Sequence, residues 1–354
     1  MKRRETVLIT GAGGFLGGTI VEALHFSGER EPRAGISRWT SAPRIARMPV
    51  PIVQCDVLKP AQLAAAMEGV DHVIHCAVGE DLSVIVDGTA NVLEAARAAG
   101  VRRVVHISSV AVYGAATGEV DEAATAPPGT VTPYGAAKIR AEAACMQAAA
   151  GGQSVVVLRP SIVYGPFAGR WTVLYAMRLR AGRWGDLGDA GEGKCNLVHV
   201  HDVARYAVAS LDAPGVEGEV FNVNGPEVVS WNEYFQRFND GLGLPPLQPR
   251  TAQKARMAAL LTQPVRIAGK FALKNFSPQL IWLSQNSDRL KRLMKETELT
   301  LRCTPNGDEL SLFGLDAVYP TTKAERAFGM APRIDLSEGL AMTVAWLDHM
   351  GEAA

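Results

Sequence analysis

The segment Thr10-Gly11-Ala12-Gly13-Gly14-Phe15-Leu16-Gly17 constrains this chain more than any other. It follows a short apolar run, Val7-Leu8-Ile9. It opens a helical pattern from Leu16 to Leu24, and a second strand pattern follows from Arg33 to Ser37. Glycines at these spacings permit a tight turn at Gly11, let the backbone approach a pyrophosphate at Gly14, and allow close helix–strand packing at Gly17. A helix starting there also directs unpaired N–H groups and the positive end of its dipole at phosphate oxygens. A glycine triplet by itself is a weak signal. Strand, loop, helix and second strand in the expected order make it a dinucleotide cradle, with Gly11, Gly13, Gly14, Phe15, Leu16 and Gly17 as candidate contacts.

The rest of the first half continues the alternation. Strands are expected at Pro51–Cys55, His72–Cys76, Val104–Ser108 and Val155–Leu158. Helices are expected at Pro60–Met67, Ser83–Ala99 and Pro133–Ala149. Short β-branched runs separated by longer helical patterns are the mark of βαβ units and a parallel sheet. The predicted fold is therefore α/β, a doubly wound parallel Rossmann sheet with a smaller, mostly helical C-terminal substrate lobe. The dinucleotide domain is predicted over 1–165, with 197–225 returning to it through strands at Leu197–Val200 and Val220–Val223. The substrate lobe is predicted over 166–196 and 226–354, closing over the nicotinamide, with a Gly/Pro-rich linker near Gly241–Pro249.

Length and composition narrow the function classes. At 354 residues the chain suggests about two domains on a prior of about 150 residues each. Its 36 Lys/Arg balance 36 Asp/Glu, so nothing global points to nucleic acid. Five scattered cysteines without a CxxC pair argue against a disulfide framework or a zinc site, and fit a reducing cytoplasm. The apolar run at Val7-Leu8-Ile9 is too short for a signal peptide, and no stretch reaches the roughly 18–20 apolar residues of a membrane span. The expected location is cytoplasmic.

An acidic residue that reads the ribose is expected about 20 residues past the glycine loop, at the end of the second strand. This chain has Ile36-Ser37-Arg38-Trp39 there, with no carboxylate to repel a 2′-phosphate. Ser37 and Arg38, assisted by Arg33 or Arg44, favour NADP over NAD.

Tyr134-Gly-Ala-Ala-Lys138 lies early in the long helix, so the two side chains share a face at i, i+4. A tyrosine with an ordinary pKa of about 10 is a poor base at neutral pH, but a nearby ammonium favours its phenolate. Tyr134 can then exchange a proton at a reacting oxygen, and Ser109, at the end of the fifth strand, can polarise the same oxygen. Ser109, Tyr134 and Lys138 are the candidate catalytic residues. No metal is expected, because His199, His201 and Asp202 would alternate along a strand and point to different faces. His75 reads as a satisfied core histidine. Trp171, Tyr175, Met177 and Trp184 read as walls of a substrate pocket.

Several of these motifs together resemble the extended short-chain dehydrogenases/reductases, also called the NAD-dependent epimerase/dehydratase family. The resemblance runs through Thr10–Gly17, Asp56-Val57, His75-Cys76-Ala77, Gly88-Thr-Ala-Asn91, Ser108–Gly114, Tyr134–Lys138, Arg159–Pro166 and Val198–Val203. It resumes at Thr322–Arg326 and Asp335–Leu340, sparing roughly Thr251–Val318. It implies that Asp56 and Val57 lie beside the adenine and that Cys76, Ala77 and Val78 line the cofactor. It assigns catalysis to Ser109 rather than Ser108, places Pro160 and Ser161 near the nicotinamide, and adds Ser108 and Val163 as further cofactor contacts. It also implies a homodimer.

The chain departs from the members that act on nucleotide sugars. Ile162 stands where those carry Asn, Cys195 where they often carry Arg, and Ile85 in place of another Asn; the loop Val78–Leu82 is short. Each change removes a polar contact or an enclosing wall. The expected function is interconversion of a secondary alcohol and a ketone on a small, fairly apolar substrate. The alternatives are a sugar or nucleotide-sugar epimerase/dehydratase without net cofactor turnover, and a non-catalytic NADP-binding sensor. Between Arg250 and Arg302, eleven Lys/Arg stand against three acids, with apolar residues at helical spacing and a helix start at Ser277-Pro278. A basic amphipathic stretch of this kind suits a helical lid, a dimer face or peripheral contact with an anionic membrane.

Overall fold

The computed structural model describes residues 3–249 and 251–351. Arg250 lies outside the described residues, as do the side chains of Lys270, Lys274, Ser277, Pro278, Leu280, Leu283 and Leu290. The chain begins β1 (Thr6–Thr10), α1 (Phe15–Ser27), β2 (Glu31–Ile36), β3 (Ile52–Gln54), α2 (Pro60–Ala66), β4 (His72–His75), α3 (Ser83–Ala98) and β5 (Arg103–Ile107). It continues with β6 (Gly118–Glu119), α4 (Pro133–Ala150), β7 (Val155–Pro160), β8 (Ile162–Tyr164), α5 (Leu174–Arg180), β9 (Lys194–His199), α6 (Val200–Ala209) and β10 (Val220–Val223). The remainder is β11 (Val228–Ser230), α7 (Trp231–Gly241), α8 (Ala252–Asn286), α9 (Asp288–Arg302), α10 (Gly307–Phe313), β12 (Ala317–Val318), α11 (Thr322–Phe328) and α12 (Leu336–His349).

Two compact units result. The first comprises Met1–Gly165, Asn196–Glu227 and Ala317–Gly339; the second comprises Pro166–Cys195, Val228–Asp316 and Leu340–Ala354. From sequence, 226–354 was expected wholly in the substrate lobe, yet the segment 317–339 clusters with the first unit.

The first unit is built on a seven-stranded sheet in the order β10-β7-β5-β4-β1-β2-β3. All its pairs are parallel, as in the doubly wound Rossmann arrangement. Alternate residues of each strand feed opposite faces. Val7, Ile9, Ile74, Val105 and Val156 pack with α1 and α6 residues such as Ile20, Val21 and Val203. Leu8, Val73, Val104, Val155 and Val157 pack on the other side with α2, α3 and α4 residues such as Leu63, Val92 and Cys145. Burial on both faces explains why these strands read as unbroken apolar runs. Of the two late strands expected in this sheet, β10 joins it beside β7, but β9 does not. It pairs in parallel with β8, Ile162 opposite Leu197 and Tyr164 opposite His199, in a small separate sheet.

The second unit is helical around an aromatic core. Tyr175, Trp184, Trp231, Phe235 and Phe313 are all at most 3% exposed and lie in mutual edge or tilted contact. Arg178 is buried among them, its guanidinium 4.2 Å from the Trp184 ring centroid and bonded at 2.8 Å to Glu309. Glu309 also completes a capping box with Asn306 at the start of α10. Tyr175 and Trp184, expected to wall a substrate pocket, are therefore core residues of this unit. Helix α8 breaks at Phe276 (φ −131°, ψ 22°), just ahead of Pro278, which has no backbone N–H to donate. Among the described residues no helix is long and apolar enough to cross a membrane.

Candidate active site

The glycine loop lies between β1 and α1. Gly11 has φ +69°, a conformation that side-chain-bearing residues rarely adopt, and its carbonyl accepts the Gly14 N–H at 2.9 Å. A Cβ at Gly11 would stand 2.9 Å from the Ala77 Cα, and one at Gly17 only 2.4 Å from the Gly11 carbonyl oxygen. Gly14 is exposed and caps α1 with no side chain over the helix end and no acid in the first turn. The start of α1 is thus an open, positive cradle whose shape only glycine permits, and a dinucleotide pyrophosphate fits it. Phe15 and Leu16 are half-buried at the same helix start, and the Phe15 carbonyl accepts bonds from Arg44 and Thr19.

Beyond β2, Ser37 and Arg38 are exposed, and no carboxylate stands among them. The turn that follows carries Ser41 against the loop: a Cβ at Gly13 would meet the Ser41 carbonyl oxygen at 2.5 Å. The two cations proposed to assist them are committed elsewhere. Arg33 donates to the carbonyls of Ala66 and Glu68 at 2.9 and 2.7 Å. Arg44 is paired with Glu22 at 2.6 Å and also bonds Thr19.

The remaining cofactor candidates flank the C-terminal ends of the strands. The Asp56 carboxylate accepts the Leu58 N–H at 3.1 Å, and Val57 is buried against Gly88. The Cys76 N–H donates to the Thr10 carbonyl at 3.2 Å, Ala77 touches Gly11, and Val78 is exposed. Burial pushes the Cys76 thiol up to about 12, so it stays protonated at neutral pH. Pro160 ends β7, Ser161 is buried and donates to Asn224 at 2.7 Å, and Val163 packs on the sheet core.

Tyr134 and Lys138 occupy the first turns of α4, which Thr132 caps by accepting the Gly135 N–H at 3.1 Å and which Pro133 opens. Tyr134 is 40% exposed, whereas Lys138 is 2% exposed. The Lys138 Nζ lies 6.0 Å from the Tyr134 ring centroid and donates to the Ile107 carbonyl at 2.7 Å. Burial pulls its ammonium down from 10.5 to about 8, which still leaves it mostly protonated at pH 7. Ser109 caps the turn Val110–Tyr113; it is half-buried and its Oγ accepts the Ala111 N–H at 3.2 Å. The neighbouring Ser108 is buried with its hydroxyl donated to Glu142, so of the pair only Ser109 keeps some exposure.

Sequence reasoning missed the residues that hold these parts together. Gly135 lets α4 lie against the Ser109 turn, since a Cβ there would come within 2.4 Å of the Ala111 carbonyl oxygen. Glu142, one helical turn beyond Lys138, forms a two-pronged pair with Arg159 at 2.9 and 2.6 Å. Arg159 also donates to the Tyr113 hydroxyl at 2.7 Å, which in turn donates to Asn222 at 2.7 Å. Glu142 continues the i, i+4 series Tyr134–Lys138 on one helix face, so that signal was present.

His75 is bonded on both ring nitrogens, to Thr10 at 2.7 Å and Thr89 at 3.1 Å, and burial lowers its pKa to about 3. His201 and Asp202 do not alternate along a strand as expected; they lie in the first turn of α6, where Asp202 accepts the backbone N–H groups of Arg333 and Ile334. Among the described residues no cluster of three His, Cys, Asp or Glu side chains could hold a metal. A cavity of about 690 Å³ in the first unit, lined by Glu119, Asp121, Glu219, Lys323 and Arg326, touches none of the candidate site residues.

The model of the NAD dependent epimerase/dehydratase family matches residues 7–224, and the chain belongs to that family. A 2-alkyl-3-oxoalkanoate reductase from Stenotrophomonas maltophilia is 26% identical over 355 residues, 94% of this chain and 97% of that protein. Sterol demethylase protein B from Methylococcus capsulatus is 30% identical over 283 residues, 73% of this chain and 82% of that one. In fold the chain is similar to dTDP-glucose 4,6-dehydratase from Bacillus anthracis in complex with NAD, with a TM-score of 0.73 over 99% of this chain and 98% of that one, at 18% identity. The relatives it matches are reductases, dehydrogenases, epimerases and dehydratases, and this chain is an enzyme of the same family.

Proposed function

We propose that this enzyme is an NADP-preferring reductase/dehydrogenase that interconverts a ketone and a secondary alcohol on a small, fairly apolar substrate. The observation that carries this is the buried Lys138 ammonium, held by the Ile107 carbonyl one helical turn from the half-exposed Tyr134. A bound nicotinamide dinucleotide supplies or takes up the hydride. The Gly11–Gly17 loop and the start of α1 would hold its phosphates, and Ser37 and Arg38 would meet its ribose and 2′-phosphate. In the reductive direction Tyr134 gives its phenolic proton to the substrate oxygen, and the Lys138 charge favours the phenolate that remains. Ser109 donates a hydrogen bond to the same oxygen and holds it in place. The absence of a carboxylate after β2 supports NADP, and kinship with an oxoalkanoate reductase supports a ketone.

The test is net NADPH oxidation by the purified enzyme with a 3-oxoalkanoate, compared with its Tyr134→Phe variant. Removing a general acid of this kind costs roughly 10²–10⁴-fold in turnover. Turnover undiminished in Tyr134→Phe would remove Tyr134 from the chemistry. Epimerisation of a sugar nucleotide with no net change in cofactor would replace the reductase reading altogether.

A further inference from the structure

Helix α8 carries its residues the wrong way round for a helix whose only task is to pack on its own unit. Its inward face is made of small and polar residues at helical spacing: Ala255, Ala259, Thr262 and Arg266. The two alanines are 5% and 7% exposed, and Arg266 donates to the carbonyls of Leu301 and Thr304 at 2.6 and 2.5 Å. The large apolar residues face out. Met257, Leu260, Leu261, Val265, Ile267 and Phe271 are each between 45% and 72% exposed, spread along more than three turns. Leu293 of the adjoining α9 adds a further exposed side chain at 60%. Single exposed leucines are ordinary, but a continuous face of this kind marks a contact surface.

The surrounding charge says what the contact is. Lys254 and Arg256 lie at the edges of the apolar face by helical register, and Arg289, Lys291 and Lys295 are exposed along α9. Over 250–302 the sequence holds eleven Lys/Arg against three acids, Asp288, Glu296 and Glu298. Two copies of such a surface would bring like charges together around their apolar centres. A bilayer with anionic headgroups complements both parts, taking the apolar side chains into the acyl boundary and the cations among the phosphates. We infer that α8 and α9 form a peripheral docking surface for anionic phospholipid membranes, lying on the bilayer rather than crossing it. Recognition rests on this juxtaposition of apolar face and basic rim, independently of the reaction the enzyme performs.

The experiment is sedimentation of the full-length protein with vesicles of pure phosphatidylcholine and with vesicles holding about 30 mol% phosphatidylglycerol, where roughly tenfold stronger partition onto the anionic vesicles is expected. Raised salt should weaken that binding, and the double variant Leu260→Asp/Leu261→Asp should abolish it while keeping the wild-type circular dichroism and melting curve. Lys291→Glu/Lys295→Glu, altered only at exposed cations, should weaken binding to anionic vesicles with the apolar face intact. Wild-type protein left in the supernatant with both vesicles would overturn the proposal, as would equal binding to both. A stable dimer in solution that Leu260→Asp/Leu261→Asp converts to monomer would also overturn it, by assigning the face to a second copy.

Discussion

Helices α4 and α8 are both long and rich in alanine, and both use alanine to come close to what lies beneath them. Ala137 and Ala141 of α4 pack on Ile85 of α3, while Ala255 and Ala259 form the inner face of α8. They differ in what else each face holds. The inner face of α4 adds Lys138 and Glu142, both buried and both given partners within hydrogen-bond reach. The outer face of α8 adds a row of large apolar side chains. A buried charge and an exposed apolar face are opposite departures from the rule that makes helices fold, and each costs stability that packing must offset. In α4 the departure lies inside one unit, one helical turn from the tyrosine proposed to carry the chemistry; in α8 it points to something outside the chain.

The comparison can be broken at several points. The largest effect is expected at Glu142. Glu142→Gln leaves the Arg159 guanidinium, only 12% exposed, without its counter-charge, and should cost about 3–5 kcal/mol in denaturant unfolding. A loss below about 1 kcal/mol would mean that α4 is not anchored through this pair. The double variant Leu260→Asp/Leu261→Asp, by contrast, should leave the melting curve where it is.

Lys138 comes next. Its folded-state pKa, about 8, lies below the ordinary 10.5 because burial penalises the ammonium. Below about pH 8 the lysine is protonated in both the folded and the unfolded chain, so the burial cost is present in full. Between about 8 and 10.5 only the unfolded chain keeps the proton, and wild-type stability rises with pH through that window. Lys138→Met should therefore be the more stable protein at pH 7, by on the order of 3 kcal/mol, with the gap closing towards pH 10.5. A gap that does not change with pH would remove burial as the cause.

The smallest effect sharpens the cofactor assignment. Arg38→Glu places a carboxylate where the chain has none and should weaken NADPH binding roughly tenfold while sparing NADH, as read by fluorescence titration. Equal affinities for both cofactors in the wild-type enzyme would bring a retained NAD, and epimerase chemistry, to the front.

Most strands of the sheet were legible because they are short apolar runs set between helices, and the glycine loop announces itself within eight residues. The placement of the three candidate catalytic residues was legible for a similar reason: Tyr134 and Lys138 are four apart on one helix, and Ser109 follows a strand. What stayed hidden depends on partners distant in sequence. Nothing in the spacing of Arg33 or Arg44 says that one turns to the carbonyls near Glu68 and the other to Glu22. Trp184 reads the same whether it walls a pocket or fills a core, and only Trp231, Phe235 and Phe313, contributed from far along the chain, decide for the core. The strand at β9 was visible as a strand, but its choice of β8 over the large sheet was not.

The return of residues 317–339 to the first unit bears on how the protein is made. Val318 accepts the Val120 N–H, Thr321 accepts the Asn224 N–H, and Arg333 and Ile334 cap the buried Asp202. Asn224, which ties the β10 end of the sheet to this segment, is thus without its Thr321 partner until residue 321 has left the ribosome. At roughly 5–20 residues per second that is a wait of some tens of seconds after the glycine loop first emerges. Through that interval the Asn224 N–H and the Asp202 carboxylate wait for the groups that satisfy them in the finished fold, so this edge of the first unit is the last to close.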